Sequence, residues 1–294
     1  MDGLLERIIV ESIMGLQNGM ILALVATGFT LILGVMNIVN FSHGEFYMLG
    51  AFVGWLVLTA VAPFVGFWGA VLAAGLLVAA FGLVIERGVF QSTHGGSPFT
   101  ALLVSFGLAL VLQQAALATF GTIGKYIEPP IKSSLPFFGL QFPVYRLVIM
   151  VVAALFIILL LLFMNKSKWG VWIRATIQDR EMAACMGVPV PRVYQLVFAL
   201  GCGLAAMSGV LVAPIFSVSY SMGLDIIVQA FIVVVVGGLG SLTGTLIAAF
   251  LIGELDALGS IFLEGSQPQI LSLVVLMIFL MFRPQGLMGE RGLE

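Results

Sequence analysis

The sequence predicts an all-α, polytopic integral membrane protein of about eight or nine transmembrane helices, one of them a candidate for a broken or re-entrant helix. Three observations predict it. Hydrophobic residues make up 61% of the chain and charged residues 9%, with a mean hydropathy of +1.18, far above what a water-facing domain carries. Charged side chains are absent from 12–44, 46–85, 88–124, 147–165, 193–224, 226–253 and 265–282. A helix needs about 20 apolar residues to cross about 30 Å of hydrocarbon, so the longest of these stretches hold more than one pass or a pass plus a loop. Glycine, proline and polar clusters then divide them.

Taken in order, the apolar runs predict helices near 12–35, 44–61, 66–86, 99–119, 144–164, 193–213, 222–237, 242–262 and 268–283. The seventh is the weakest, because Asp225 stands at its start and Gly237-Gly238-Leu239-Gly240-Ser241 breaks its end, a pattern that also suits a half-helix. The start, Met1-Asp2-Gly3-Leu4-Leu5-Glu6-Arg7, lacks the positive region and cleavage site of a signal peptide, so no removed targeting segment is expected. Residues 1–294 read as a single membrane domain with a basic loop at 165–192. That loop holds Lys166, Lys168, Arg174, Arg180 and Arg192, and the tail adds Arg283 and Arg291. Both are expected in the cytoplasm. The loop 120–143 then faces outward, as does the N-terminus if the seventh segment crosses. Gly15/Gly19, Gly50/Gly54 and Gly240/Gly244 are each four apart, which predicts close helix packing.

Charge and composition exclude several functions. Twelve Lys and Arg against 14 Asp and Glu give a net charge of -2, so no basic field exists for nucleic acid. Cys185 and Cys202, with His43 and His94, offer neither a disulfide framework nor zinc spacing. An intramembrane enzyme lacks support, since no nucleophile with an oriented base is visible. A stand-alone ion-coupled secondary transporter or channel would need ionisable groups within the membrane. Glu45, Glu254 and Asp256 are its candidates.

Three places put polar groups where apolar ones are expected. In Asn37-Ile38-Val39-Asn40-Phe41-Ser42-His43-Gly44-Glu45, Asn37, Asn40, His43 and Glu45 are candidates to line a hydrated translocation pathway, because irregular backbone survives at membrane depth only when protein or water satisfies it. Ser42 and Glu45 also have the spacing of a helix capping box. Glu254 and Asp256 near the end of a hydrophobic helix either face the pathway or lie at the aqueous rim, Gly253 being a possible exit. Glu86-Arg87 reads as an interfacial charge pair. In the basic loop, Asp179 can cap a short helix in which Met182, Cys185 and Met186 recur at three- and four-residue spacing, with Gly187 and Pro189 as the stop. Its apolar stripe must lie on lipid, on its own bundle or in a partner's groove.

Two motifs and a glycine turn carry a family resemblance: Gly34-Val35-Met36-Asn37 through His43-Gly44-Glu45-Phe46 to Gly50-Ala51, Arg174-Ala175 through Asp179-Arg180-Glu181-Met182-Ala183 to Met186-Gly187, and Gly237-Gly238-Leu239-Gly240-Ser241. Over nearly its whole length the sequence resembles the membrane permease subunit of branched-chain amino acid ABC importers of the bacterial inner membrane. The resemblance implies a pore shared with a second, homologous permease subunit, a periplasmic substrate-binding protein and two cytoplasmic ATPase subunits that hold the ATP and Mg. It assigns the helix at 176–187 to ATPase coupling, through Asp179, Arg180, Glu181, Met182, Ala183, Met186 and Gly187. The absence of a Gly-x-x-x-x-Gly-Lys-Ser/Thr loop agrees with ATP chemistry on another chain. Permeases for urea and short amides are close relatives and remain an alternative.

Overall fold

The computed structural model describes residues 2–288 except 95, 138, 139, 264 and 266. Arg291 lies outside the described residues. Among the described residues ten α-helices follow one another: α1 (Asp2–Met36), α2 (His43–Ile85), α3 (Pro98–Phe120), α4 (Val144–Lys166), α5 (Lys168–Gln178), α6 (Arg180–Cys185), α7 (Val190–Val212), α8 (Met222–Gly237), α9 (Leu242–Gly259) and α10 (Gln267–Phe282). A hairpin of β1 (Ser134–Phe137) and β2 (Leu140–Pro143) stands in the 120–143 loop, an element the apolar pattern does not announce. The helix α2 is broken at Gly66, whose φ of 62° and ψ of 177° are non-helical. Its arms 43–65 and 66–85 match the two segments expected at 44–61 and 66–86.

Six described helical segments are long and apolar enough to cross a membrane, and α8 and α10 are shorter apolar helices. The 16 residues of α8 make it about 24 Å long, short of a full hydrocarbon layer. Its C-terminal end is tied to the tail, where Leu287 N–H and Met288 N–H donate to the carbonyls of Val236 and Gly237 at 2.7 and 3.0 Å.

Contacts fix the direction of each neighbour. Thr30 and Thr245 hydroxyls meet at 2.8 Å, while Gly15 packs on Glu254 and Ala257 and Gly34 on Gly240. Thus α1 and α9 run antiparallel. Gly28 packs on Gly201, Gly50 on Ala206, Gly54 on Val210, and Gly82 on Cys202. The first arm of α2 therefore runs parallel to α7, the second arm antiparallel. Tyr145 at the start of α4 donates to Leu211 O near the end of α7 at 2.7 Å. One face of the bundle gathers the end of α1, the α2–α3 turn, α5, α6, the start of α7, the α8–α9 turn and the tail. It holds the basic residues of 166–192 together with Arg283, which assigns it to the cytoplasm. The bridge between Lys125 and Val218 belongs to the opposite face, as does the start of α1, where Ser260 reaches Glu11.

The glycine spacing is realised in two of the three places. Gly15/Gly19 abut α9 and Gly50/Gly54 abut α7. Gly240 and Gly244 share no helix face, because Gly240 lies in the turn before α9.

A Cβ on Gly50 would overlap the Ala206 backbone, whereas one on Gly107 in α3 meets nothing within 4 Å. Gly50→Val is expected to destabilise the protein by about 1–3 kcal/mol through overpacking, read as a lowered melting temperature in detergent. Gly107→Ala should be neutral or stabilising by up to about 1 kcal/mol.

Candidate functional site

The first motif leaves the cytoplasmic end of α1 and turns back into the bundle. Asn37 takes a φ of 53°, a left-handed conformation that asparagine tolerates, and residues 37–40 have no regular secondary structure. By His43 the chain has reached Val25, with the imidazole Nε2 3.1 Å from the Val25 carbonyl oxygen. Val25 stands 11 residues before Met36, about 16 Å along the helix. Irregular backbone therefore penetrates to membrane depth, and α2 begins there.

Neighbouring side chains satisfy that backbone. Ser105 Oγ on α3 accepts from Phe41 N–H at 3.1 Å and lies 3.3 Å from Val39 O. Asn40 Oδ1 accepts from Ser42 N–H at 3.1 Å and from the Ser42 hydroxyl. The expected capping box is absent: Ser42 makes no side-chain cap bond to α2, because its hydroxyl is committed to Asn40. A carbonyl can only accept, so His43 donates from Nε2 and stacks on Phe29 at 5.5 Å between ring centroids. Asn40, Ser42 and His43 have no exposed surface and Glu45 has 3%. Asn40 Nδ2, His43 Nδ1 and Glu45 Oε2 have no hydrogen-bond partner among the described residues. Asn37 is apart from them, in a small crevice on the cytoplasmic side shared with His94, Ser97, Tyr194 and Arg180.

Glu254 and Asp256 stand inside α9, which continues to Gly259. Gly253 is therefore no exit, but a contact point for Gly15 and Gly19 of α1. Asp256 accepts from the Ser272 hydroxyl of α10. It borders a cleft of about 270 Å³ with Asp225 and Gln229 of α8 and Gln269 of α10, whereas Glu254 packs toward α1. The sequence marked Asp225 only as the polar start of the seventh segment and did not mark Gln229. Glu86 and Arg87 do not pair. Buried Glu86 lies 3.5 Å from His94 Nε2, and Arg87 donates to Gln195 at 3.1 Å.

The helix expected at 176–187 divides. Thr176, Ile177 and Gln178 end α5, and α6 starts at Arg180, capped by Asp179 Oδ1, which accepts from Glu181 N–H and Met182 N–H at 2.9 Å each. Gly187 ends the turn at φ 84°. Met182 and Met186 are 60% and 79% exposed, and Glu181 is exposed too. Ala183, about 100° round the helix from Met182, is turned inward with 5% exposure. The outward apolar surface is thus made by the methionines.

Against this geometry, residues 12–283 match the family model described as branched-chain amino acid transport system / permease component. The high-affinity branched-chain amino acid transport system permease protein LivH of Salmonella typhimurium is 29% identical over 298 residues, covering 95% of each chain. BraD of Pseudomonas aeruginosa, of the same description, is 28% identical over 292 residues with the same coverage. LivM of Escherichia coli K12, also so described, is 26% identical over 294 residues, covering 92% of this chain and 68% of LivM.

Asp179→Ala should cost the short helix α6 about 0.5–2 kcal/mol. Faster amide exchange at Glu181 and Met182 would report it. Asn40→Ala should lower the melting temperature more than Ser42→Ala, because it removes the acceptor of two donors.

Proposed function

The chain belongs to the family of branched-chain amino acid transport system permease components, and from that membership we propose that it forms, with a second homologous permease subunit, the pore of an ATP-driven importer for branched-chain amino acids. It is a multi-pass protein of the bacterial inner membrane and a transport subunit. A periplasmic binding protein delivers the amino acid and two cytoplasmic ATPase subunits hold the ATP and Mg. The similarity to both LivH-type and LivM-type permeases supports a related partner.

One observation carries the coupling role: α6 presents Met182 and Met186 to the cytoplasmic side beyond its own bundle, a short apolar ridge of the kind a protein groove accepts. Asp179 fixes that ridge from one end and Gly187 from the other. Arg180, beside Asn37 in the cytoplasmic crevice, links α6 to the start of the re-entrant segment. The unpartnered polar atoms of Asn40, His43 and Glu45 favour a segment that meets water or other partners in another state of the cycle, since leaving each unpaired costs about 1–3 kcal/mol.

Met182→Asp combined with Met186→Asp should abolish association with the ATPase subunits, or leave ATP hydrolysis that ignores loaded binding protein, while the melting temperature stays within a few degrees. Normal stimulated hydrolysis and uptake would make α6 a surface connector. Asn40→Cys and His43→Cys should be shielded from aqueous thiol reagents in one nucleotide state and labelled in another. Protection in every state would make the motif an internal strut.

A further inference from the structure

The surface of α4 illustrates what this protein exposes to lipid: Val151, Leu155, Ile158 and Leu162 stand outward in succession. On α8 the exposed residues are Leu224, Asp225 and Val228. Asp225 stands 12 residues before Gly237, which ends α8 on the cytoplasmic face, so it lies about 18 Å along the helix from that face. Asp256 stands 14 residues after Leu242, which begins α9 at the same face, and reaches about 21 Å. Both acids, with Gln229, Gln269 and Ser272, border the cleft between α8, α9 and α10.

An exposed carboxylate at that depth is incompatible with a lipid boundary, and ionisable groups within the membrane face a bundle interior or a water-filled route. Asp225 stays exposed among the described residues. We propose that this face of α8, with the adjoining cleft, is where the second permease subunit packs, leaving the cleft, whose polar groups stand among more numerous apolar side chains such as Leu224, Val228 and Ile252, as a passage between the two chains. The proposal rests on the reading that a related permease completes the pore. A partner offering hydrogen-bond donors or a cation opposite Asp225 fits the cleft, whereas acyl chains fit the uninterrupted apolar face of α4.

The test uses the assembled transporter in liposomes. Val228→Cys and Ile158→Cys are each placed in a Cys185→Ser background, Cys202 being fully buried, and labelled with an environment-sensitive thiol probe. Co-purification of the second permease is scored first. Its failure would contradict the two-subunit reading itself and is read separately. With the complex intact, the probe at 228 is expected to resist quenching by spin-labelled lipid while the probe at 158 is strongly quenched. A thiol-linked photocrosslinker at 228 should join the second permease subunit. Equal quenching at both positions would overturn the proposal. Shielding at 228 with cross-linking only to another copy of this chain, or with no cross-linked product, would overturn the choice of occupant.

Discussion

Backbone polar groups must find partners inside the protein wherever water is excluded, and the placement of residues 37–42 depends on that constraint. A non-helical strand of chain at this depth in hydrocarbon would forfeit several hydrogen bonds. Here Ser105 and Asn40 supply them from the side, and α1, α7 and α8 close around the segment. They approach closely enough because glycine stands at the contacts: Gly28 on Gly201, Gly44 on Gly223, Gly209 on the Tyr47 backbone. Dispersion across such contacts drives helix association in a medium as apolar as the helices.

The same enclosure gives the bundle a mechanical path. The re-entrant segment begins at Asn37, in a crevice bordered by α6 through Arg180, by the α2–α3 turn and by the start of α7. It ends at Glu45, whose carboxyl lies against Gly223 at the start of α8. A displacement at the cytoplasmic surface is therefore adjacent to one end of the segment, and the polar part of α8 is adjacent to the other.

Much of this was legible in the sequence for a simple reason. Few charges occur, so the gaps between them outline the helices, and nine expected segments correspond to observed helices or helix arms. Features set by direction were not legible. Nothing in the spacing of Asn37, Asn40 and His43 says that the chain doubles back along α1. The Ser42-to-Glu45 spacing suggested a capping box, but the Ser42 hydroxyl has a nearer acceptor in Asn40. The family resemblance placed Ala183 beside Met182 among the coupling residues, yet in a six-residue helix only the phase of the turn separates the two. Asp225 was noted only as the polar start that weakened the seventh segment. Its interest comes from depth, which only the packing of α8 supplies.

In the proposed importer, ATP hydrolysis on partner subunits drives substrate through this chain. The most direct measurement is uptake of radiolabelled leucine into proteoliposomes that contain this chain, a second permease, both ATPases and external binding protein. ATP is enclosed inside, and ionophores collapse every ion gradient. Uptake is expected to need enclosed ATP and loaded binding protein and to be unchanged by the ionophores. Uptake that persists without ATP and vanishes with the ion gradients would contradict it.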